Sequence, residues 1–457
     1  MNDAPILNRR QFLINTGQAA TTLAAASTFA PAVLAAEAPG RTIGVGCIGL
    51  GTRGGDLNDA VAHVPNVKVV AVCDTYPATL RRAAEAAGPQ AEKFDDYKKL
   101  LDKKEVQAVV IATPTHQHKD IVIAALQAGK HVYCEAPLAS SIEDAKTIAQ
   151  AAKAAPKLVF QSGLQARSHP QRQFLLPFIR GGAAGRNVMA RAQWHKKDQW
   201  RRTSPNGDRE KDLNWRLDRA ISTGLMGEIG IHQIDAVSWF LNDRPTAVTG
   251  FNSLVLWKDG RTVPDTIQAV FEYAGKSQSE GMTDSVHFMY DATLCNSFDS
   301  EYEIYFGTDA AVMTRDDKAW MFKEADAPLL GWEVYARKDL FYTESGVALV
   351  ADATKQTAIG KTAAGASAYP YSAVYYALGN FTENITTISK EVENFVSLYG
   401  DDPIELQKDL AALKLKPEYK PAAGWQEGLE ATVLAIKANE AVVNNQKIVL
   451  QKEWFEL

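Results

Sequence analysis

In the stretch GEIGIHQIDAVSWFL, one histidine stands between two carboxylates: Glu228, His232 and Asp235, followed by Trp239. Offsets of four, three and four put these residues on one stripe of a helix. Ile231, Ile234, Val237 and Phe240 fall on a neighbouring apolar stripe. An imidazole with a carboxylate one turn away suits general-base work, because the carboxylate orients the ring and supports the imidazolium. A further carboxylate, Glu135, lies in HVYCEAPLAS between a strand-like run and Pro137, with only the methyl group of Ala136 beside it. A base and a lone carboxylate do chemistry only if a reacting group is held between them.

The first apolar run after the N-terminal forty residues shows what could be held there. RTIGVGCIGLGTRGGDLNDAV reads as a strand over 42–48, a turn through Gly49-Leu50-Gly51-Thr52-Arg53-Gly54, and a helix. A second strand, VKVVAVCD, ends at Asp74, twenty residues beyond Gly54. That is a dinucleotide fingerprint. Gly49 allows the tight turn, Gly51 lets the backbone approach a pyrophosphate, and Gly54 lets helix pack on strand. The helix N-terminus, with Thr52 and Arg53, offers free N–H groups to the phosphates. Asp74 would accept hydrogen bonds from the ribose hydroxyls and repel a 2′-phosphate, which favours NAD. Arg81 and Arg82, a turn or two further along, are the residues that would admit NADP.

The strand–helix rhythm continues. VQAVVIATPTHQH gives a buried strand that turns at Thr113-Pro114, with a helix from about His116 to Ala128. HVYCEAP, a helix over SIEDAKTIAQAAKAA, and KLVFQSG follow. Parallel strands with crossover helices make a doubly wound Rossmann sheet, whose ligand lies at the strands' C-terminal edge. Thr113, Pro114, His116, Glu135 and Pro137 all fall on that edge and are expected to touch the cofactor.

Bulk properties narrow the class. The chain has 457 residues, 46% hydrophobic and 23% charged, which is ordinary for a soluble protein of two domains. A net charge of -5 leaves no basic excess for nucleic acid. The four cysteines, Cys47, Cys73, Cys134 and Cys295, form no C-x-x-C pair, so no metal site or disulfide framework is expected. Residues 1–38 carry Arg9-Arg10, Phe12-Leu13, an uncharged Ala/Thr run and small residues at Ala35–Ala38, and resemble a twin-arginine export signal. No other stretch reaches the roughly 18 apolar residues needed to span a bilayer. The expectation is a periplasmic or otherwise exported protein, delivered folded by the twin-arginine machinery and soluble once its signal is removed. A tightly bound NAD suits that route.

The motifs GLGTRG, ATPTHQHKD, AGKHVYCEAPLA, GLMGEIGIHQIDAVSWFL and GLEATVLAIKANEAV, in this order, resemble the glucose-fructose oxidoreductase / inositol dehydrogenase (Gfo/Idh/MocA) family. The resemblance implies a Rossmann domain at 39–163. It also implies an α/β substrate and oligomerisation domain at 164–457, built on a large open, mainly antiparallel sheet. A homo-oligomer, dimer or tetramer, and a sugar or polyol substrate are implied too. By resemblance, His232 is the proton acceptor, Glu228 stands where an Asp is more usual, and Asp235 contacts substrate or steadies its helix. Arg167 and His169 in GLQARSHP fall where the family carries substrate-contacting residues. Trp194 and His195 in AQWHKKDQWRR belong to a strand expected to face the cleft, and Trp194 and Trp200 suit sugar rings. The family usually has Glu-Lys-Pro where this chain has Glu135-Ala136-Pro137, so an ammonium is missing. Lys196 or Lys197 would replace it, unless both belong to a solvated basic run.

The leading reading is an exported NAD-dependent oxidoreductase acting on a sugar, polyol or glycoside. One alternative is a cycle in which hydride leaves and returns through a keto intermediate, giving glycoside cleavage or epimerisation. Another is a sugar-binding protein without catalysis. The run DSVHFMYDATLCNSFDSEYEIYFGTDAA is read as paired strands of the scaffold, and residues 353–370 as a long surface loop.

Overall fold

Ile43–Ile48 (β1), buried along its whole length, is apolar at every position except for two glycines, the pattern of a strand covered on both faces. It is the third strand of a six-stranded parallel sheet ordered β3-β2-β1-β4-β5-β6. The others are β2 Val67–Cys73, β3 Glu92–Phe94, β4 Ala108–Ile111, β5 His131–Cys134 and β6 Phe160–Ser162. The chain reverses direction across the sheet between β1 and β4, the switch point at which doubly wound sheets bind ligands. The computed structural model describes residues 42–457 apart from 276–277, 280–281, 316–317, 331–336, 342–343 and 349–368. The export signal at 1–38 and nearly all of the loop expected at 353–370 lie outside the described residues.

A second sheet has ten strands. In chain order they are β7 Asn187–His195, β8 Pro245–Ser253, β9 Thr266–Tyr273, β12 Val286–Thr293, β13 Glu301–Gly307, β14 Ala310–Arg315, β15 Lys318–Lys323, β16 Arg337–Phe341, β17 Glu344–Ala348 and β18 Ile448–Val449. A two-stranded ribbon, β10 Gln278–Ser279 and β11 Met282–Thr283, precedes β12. The large sheet is antiparallel except where β7 runs parallel to β12. The strands expected to pair over 284–307, β12 and β13, are not neighbours: β7 lies between them and bonds to both. Sequence adjacency suggested a hairpin, but the sheet admits an earlier strand first.

The helix over 231–241 packs the predicted apolar stripe: Ile231, Ile234, Val237 and Phe240 are at most 1% exposed and join the core beneath the large sheet. Helices of the last hundred residues return to the first sheet. Val374, Leu378 and Phe381 of Ala373–Tyr399 share a core with Val45 and Tyr133, while Leu429 and Val433 of Trp425–Asn444 join Ile111 and Cys134. Tyr133 and Cys134 face opposite sides of their strand, so segment 164–457 contributes a helix to each face of the dinucleotide sheet. Cys47, Cys73 and Cys134 are buried strand residues, and burial pushes the first two up to about 12.

Candidate active site

At the C-terminal edge of the first sheet opens a cleft of about 1310 Å³, bounded on its other side by β7, β13, β14 and the segment 194–216. Its floor begins at the glycine turn. Gly49 has φ +82, and a Cβ there would stand 2.6 Å from the Thr113 nitrogen. A Cβ on Gly54 would lie 1.8 Å from the Gly49 carbonyl oxygen, so this glycine packs beneath the turn and does not line the cleft. A Cβ on Gly51 would meet no protein atom, and Gly51 faces the cleft. Helix Thr52–Ala62 starts here without a side-chain cap, leaving its first N–H groups for an anion. Asp74 lines the cleft with its carboxylate fixed by the backbone N–H of Leu50 (2.8 Å) and of Tyr76 (2.7 Å). Thr113 and Pro114 line it as well, with the Thr113 hydroxyl buried and unpartnered. These residues fit a nicotinamide dinucleotide: Gly51 and the helix start for its pyrophosphate, Asp74 for a ribose. Arg81 and Arg82 are exposed on their helix and lie outside the cleft lining.

His232 sits in the same cleft, its Nδ1 buried and without a hydrogen-bond partner. Burial, with the nearby Arg53 cation adding to it, pushes the imidazole down to about 4. The ring is neutral over the ordinary pH range and able to take a proton. Glu228 lines the cleft too but does not orient His232. Met226–Gly230 is a π turn, wider than the α-helical repeat, so a spacing of four no longer stacks the two side chains. The Glu228 carboxylate instead accepts from the hydroxyls of Thr223 (3.0 Å) and Thr115 (3.4 Å), with Arg216 at 3.4 Å. Burial raises Glu228, partly offset by Arg216 and Thr223.

Three expected substrate contacts are engaged elsewhere. Arg167 grips Asp235 through Nη2 (2.8 Å) and Nε (3.1 Å), and neither lines the cleft. Asp235 is 3% exposed; burial opposes the guanidinium's charge, but the carboxylate outweighs it and lifts Arg167. The pair steadies the base's helix, with the guanidinium over the Trp239 ring. His195 also lies outside the lining, its Nε2 2.5 Å from Asp291 and its Nδ1 at the Phe298 carbonyl. Trp194, Lys196, His169 and Trp200 do line the cleft, whereas Lys197 does not.

Beside Ala136 a cation arrives from another element. Arg53 reaches from the glycine turn to Glu135, with Nη2 at 3.0 Å and Nε at 3.1 Å from Oε1, and to Gln165 at 2.6 Å. Pro137, joined to Ala136 by a cis peptide bond, stays outside the lining. Its carbonyl and that of Thr113 face Nδ1 and Nε2 of His118, at 3.0 and 2.9 Å. His118 thus ties two loops of the cofactor edge together, and the sequence reading passed over it for His116, which lines the cleft. The Nδ1 of His116 is buried without a partner and its ring meets Trp215 edge-on. Burial lowers His116, against Asp212. Also missed was a buried cluster at the far wall, where Arg172 pairs with Glu303 and donates to Thr314 at 2.8 Å. No group of three or more metal-ligating side chains occurs among the described residues.

Residues 43–162 match the oxidoreductase family with an NAD-binding Rossmann fold (GFO_IDH_MocA), and residues 176–311 match the GFO/IDH/MocA C-terminal domain. The chain is 30% identical to inositol 2-dehydrogenase of Salmonella typhimurium over 203 residues, 44% of this chain and 55% of that one. It is 29% identical to levoglucosan dehydrogenase of Pseudarthrobacter phenanthrenivorans over 214 residues, 44% and 52% of the two chains. The chain spans about half the length of the curated relatives it matches. The structure of an oxidoreductase domain protein from Kribbella flavida superposes with a TM-score of 0.66 at 19% identity, covering 90% of this chain and all of the other. A levoglucosan dehydrogenase complex with NADH and levoglucosan gives 0.64 at 19%, with the same coverage. At that identity the likeness is one of fold. With two models of one family matching in order across more than half of its length, the chain belongs to the GFO/IDH/MocA oxidoreductases.

Proposed function

We propose that this protein is an NAD-dependent oxidoreductase that removes hydride from a carbinol carbon of a sugar, polyol or glycoside. The observation that carries the reading is His232, neutral and unpartnered at Nδ1 in the cleft shared with the Gly49–Gly54 turn and Asp74. When bound, the nicotinamide supplies the hydride acceptor. The chain's own residues do the rest. His232 takes the hydroxyl proton as the carbon–hydrogen bond breaks. Arg53, held on Glu135 and Gln165, puts a fixed cation in the cleft where the hydroxyl oxygen gains charge, the service that family members obtain from the lysine replaced by Ala136. Glu135 and Gln165 keep that guanidinium from wandering, so little reorganisation accompanies the step.

Asp74 supports NAD over NADP, since its carboxylate is already fixed by two backbone N–H groups and cannot turn away from a 2′-phosphate. Inositol and levoglucosan dehydrogenases among the relatives support a polyhydroxylated substrate. Exposed Phe251 and Met289 on the large sheet support a homo-oligomer, and the Arg9-Arg10 segment supports twin-arginine export with a tightly held cofactor. Purified protein screened against sugars, polyols and glycosides, with NADH and products followed together, tests the reading. NADH and a keto product formed in step establish it. Product without net NADH replaces it with the cycling reaction, and silence with saccharide binding leaves a binding protein. Fractionation of cells carrying Arg9→Lys/Arg10→Lys tests export.

A further inference from the structure

Trp200 lines the cleft in a backbone conformation that a bulky side chain seldom takes, with φ 60. Such a residue persists only where its surroundings over-determine it, and ligand clamps are where such residues collect. Here the surroundings are explicit. The Trp200 N–H donates to Asp198 at 3.0 Å. On one side, the Gln199 carbonyl is held by Arg261, whose side chain is fully buried. On the other, Arg201 donates to Asp259 through Nε (3.1 Å) and to the Asp259 carbonyl through Nη2 (2.9 Å). Arg261 grips the same Asp259 at 2.8 and 2.7 Å, so one carboxylate fixes both neighbours of Trp200. Asn214 then clips the far end of the segment back onto Arg202, accepting at 2.7 Å and donating at 3.0 Å. Nothing in proton or hydride transfer at His232 calls for this brace.

The position of Trp200 says what the brace serves. A reacting ring must sit against His232, and Trp194 and Trp215 line the same cleft. Trp194 is adjacent to Gln193, whose carbonyl holds Gln233 (2.8 Å) next to the base, while Trp215 meets His116 at the cofactor edge. Trp200 lies six residues beyond Trp194, past exposed Lys196, half-buried, with part of its surface on the core and part lining the cleft. The cleft, at about 1310 Å³, exceeds the usual range for a small-molecule site of roughly 300–1,000 Å³, leaving room beyond cofactor and one ring. We propose that Trp200 is the platform for a second sugar ring, so that the substrate is a disaccharide or larger glycoside, and that Asp259 is the positioning residue that holds the platform through Arg201 and Arg261. The inference rests on the oxidoreductase reading for the reaction but not for the binding.

The test uses full-length, cofactor-loaded protein with matched probes: glucose, methyl glucoside, maltose and cellobiose. Binding is read from tryptophan fluorescence, independently of turnover, and turnover from NADH and product. A disaccharide is expected to bind about tenfold more tightly than its monosaccharide, the scale of one aromatic stacking contact. Trp200→Asn, whose new side chain tolerates the left-handed backbone, is expected to erase that advantage, so that disaccharide and monosaccharide bind alike. Trp200→Phe keeps most of it. Asp259→Asn is expected to raise the KM of the disaccharide with kcat unchanged, a split that general loosening of the fold would not produce. Equal losses for mono- and disaccharide in Trp200→Asn, or no disaccharide preference in the parent, overturn the proposal. Tighter disaccharide binding without oxidation of any probe would sustain the platform while sinking the oxidoreductase reading.

Discussion

Arg53 and Glu135, 82 residues apart in the chain, meet at 3.0 Å beside Ala136, and Gln165 takes the same guanidinium at 2.6 Å. A cation from the glycine turn is thereby fixed in the cleft that holds His232. Removing it by Arg53→Gln is expected to cut kcat about a hundredfold, the scale of losing one preorganised charge partner. The acid limb of the kcat/KM profile should also move upward from about 4, because Arg53 helps hold His232 down. Ala136→Lys should recover activity in the Arg53→Gln background and not in the parent, where two cations would share Glu135. Equal effects of Ala136→Lys in both backgrounds would remove Arg53 from this role.

His232→Gln is expected to lower kcat/KM by roughly 10²–10⁴ with little change in Tm. The unpartnered Nδ1 means that no hydrogen bond at that atom is lost with the ring. Unaltered NAD binding by fluorescence titration would separate lost chemistry from a lost site.

Asp235→Asn decides between the two roles expected for Asp235, substrate contact and helix support. Breaking a buried, bidentate ion pair typically costs about 3–5 kcal/mol, because Arg167 is left charged and uncompensated. Chemical denaturation should show that loss, while saccharide affinity of the folded protein stays at the parent value. An affinity change without a stability change would return Asp235 to the substrate.

Acid should weaken the fold before it reaches the carboxylates. His131 and His169 each accept a backbone N–H at Nδ1, from Val159 (2.9 Å) and Gln171 (3.2 Å), which only the neutral ring can do. Burial lowers both to about 4 from 6.5, and Arg172 adds to the effect at His169. A group whose folded value is depressed contributes stability above its unfolded value and loses it as pH falls through the folded one. Each shift corresponds to roughly 3 kcal/mol. The denaturation midpoint should be flat above pH 6.5 and fall steadily toward pH 4. His131→Gln should flatten part of that slope, and an unchanged slope would mean the ring is not held neutral.

Much of this protein was legible because its chemistry is packed into contiguous stretches. Gly49, Gly51 and Gly54 follow a strand and open a helix at fixed spacing, and Asp74 closes the next strand, so local backbone sterics and one βαβ unit dictate where a dinucleotide lies. The apolar stripe Ile231, Ile234, Val237 and Phe240 likewise announces which side of the base's helix is buried. What the sequence could not determine is where long polar side chains point. Glu228 was paired with His232 on ideal helical spacing, and a π turn sent it to Thr223 and Thr115 instead. Arg167 and Asp235, 68 residues apart, bury one another, while Arg53 crosses to Glu135 and Asp259 braces Trp200 from a separate loop. Each of these partners is chosen when packing removes water and leaves a buried charge one available counter-group. Spacing along the chain carries no record of that choice, so it belongs to the tertiary structure alone.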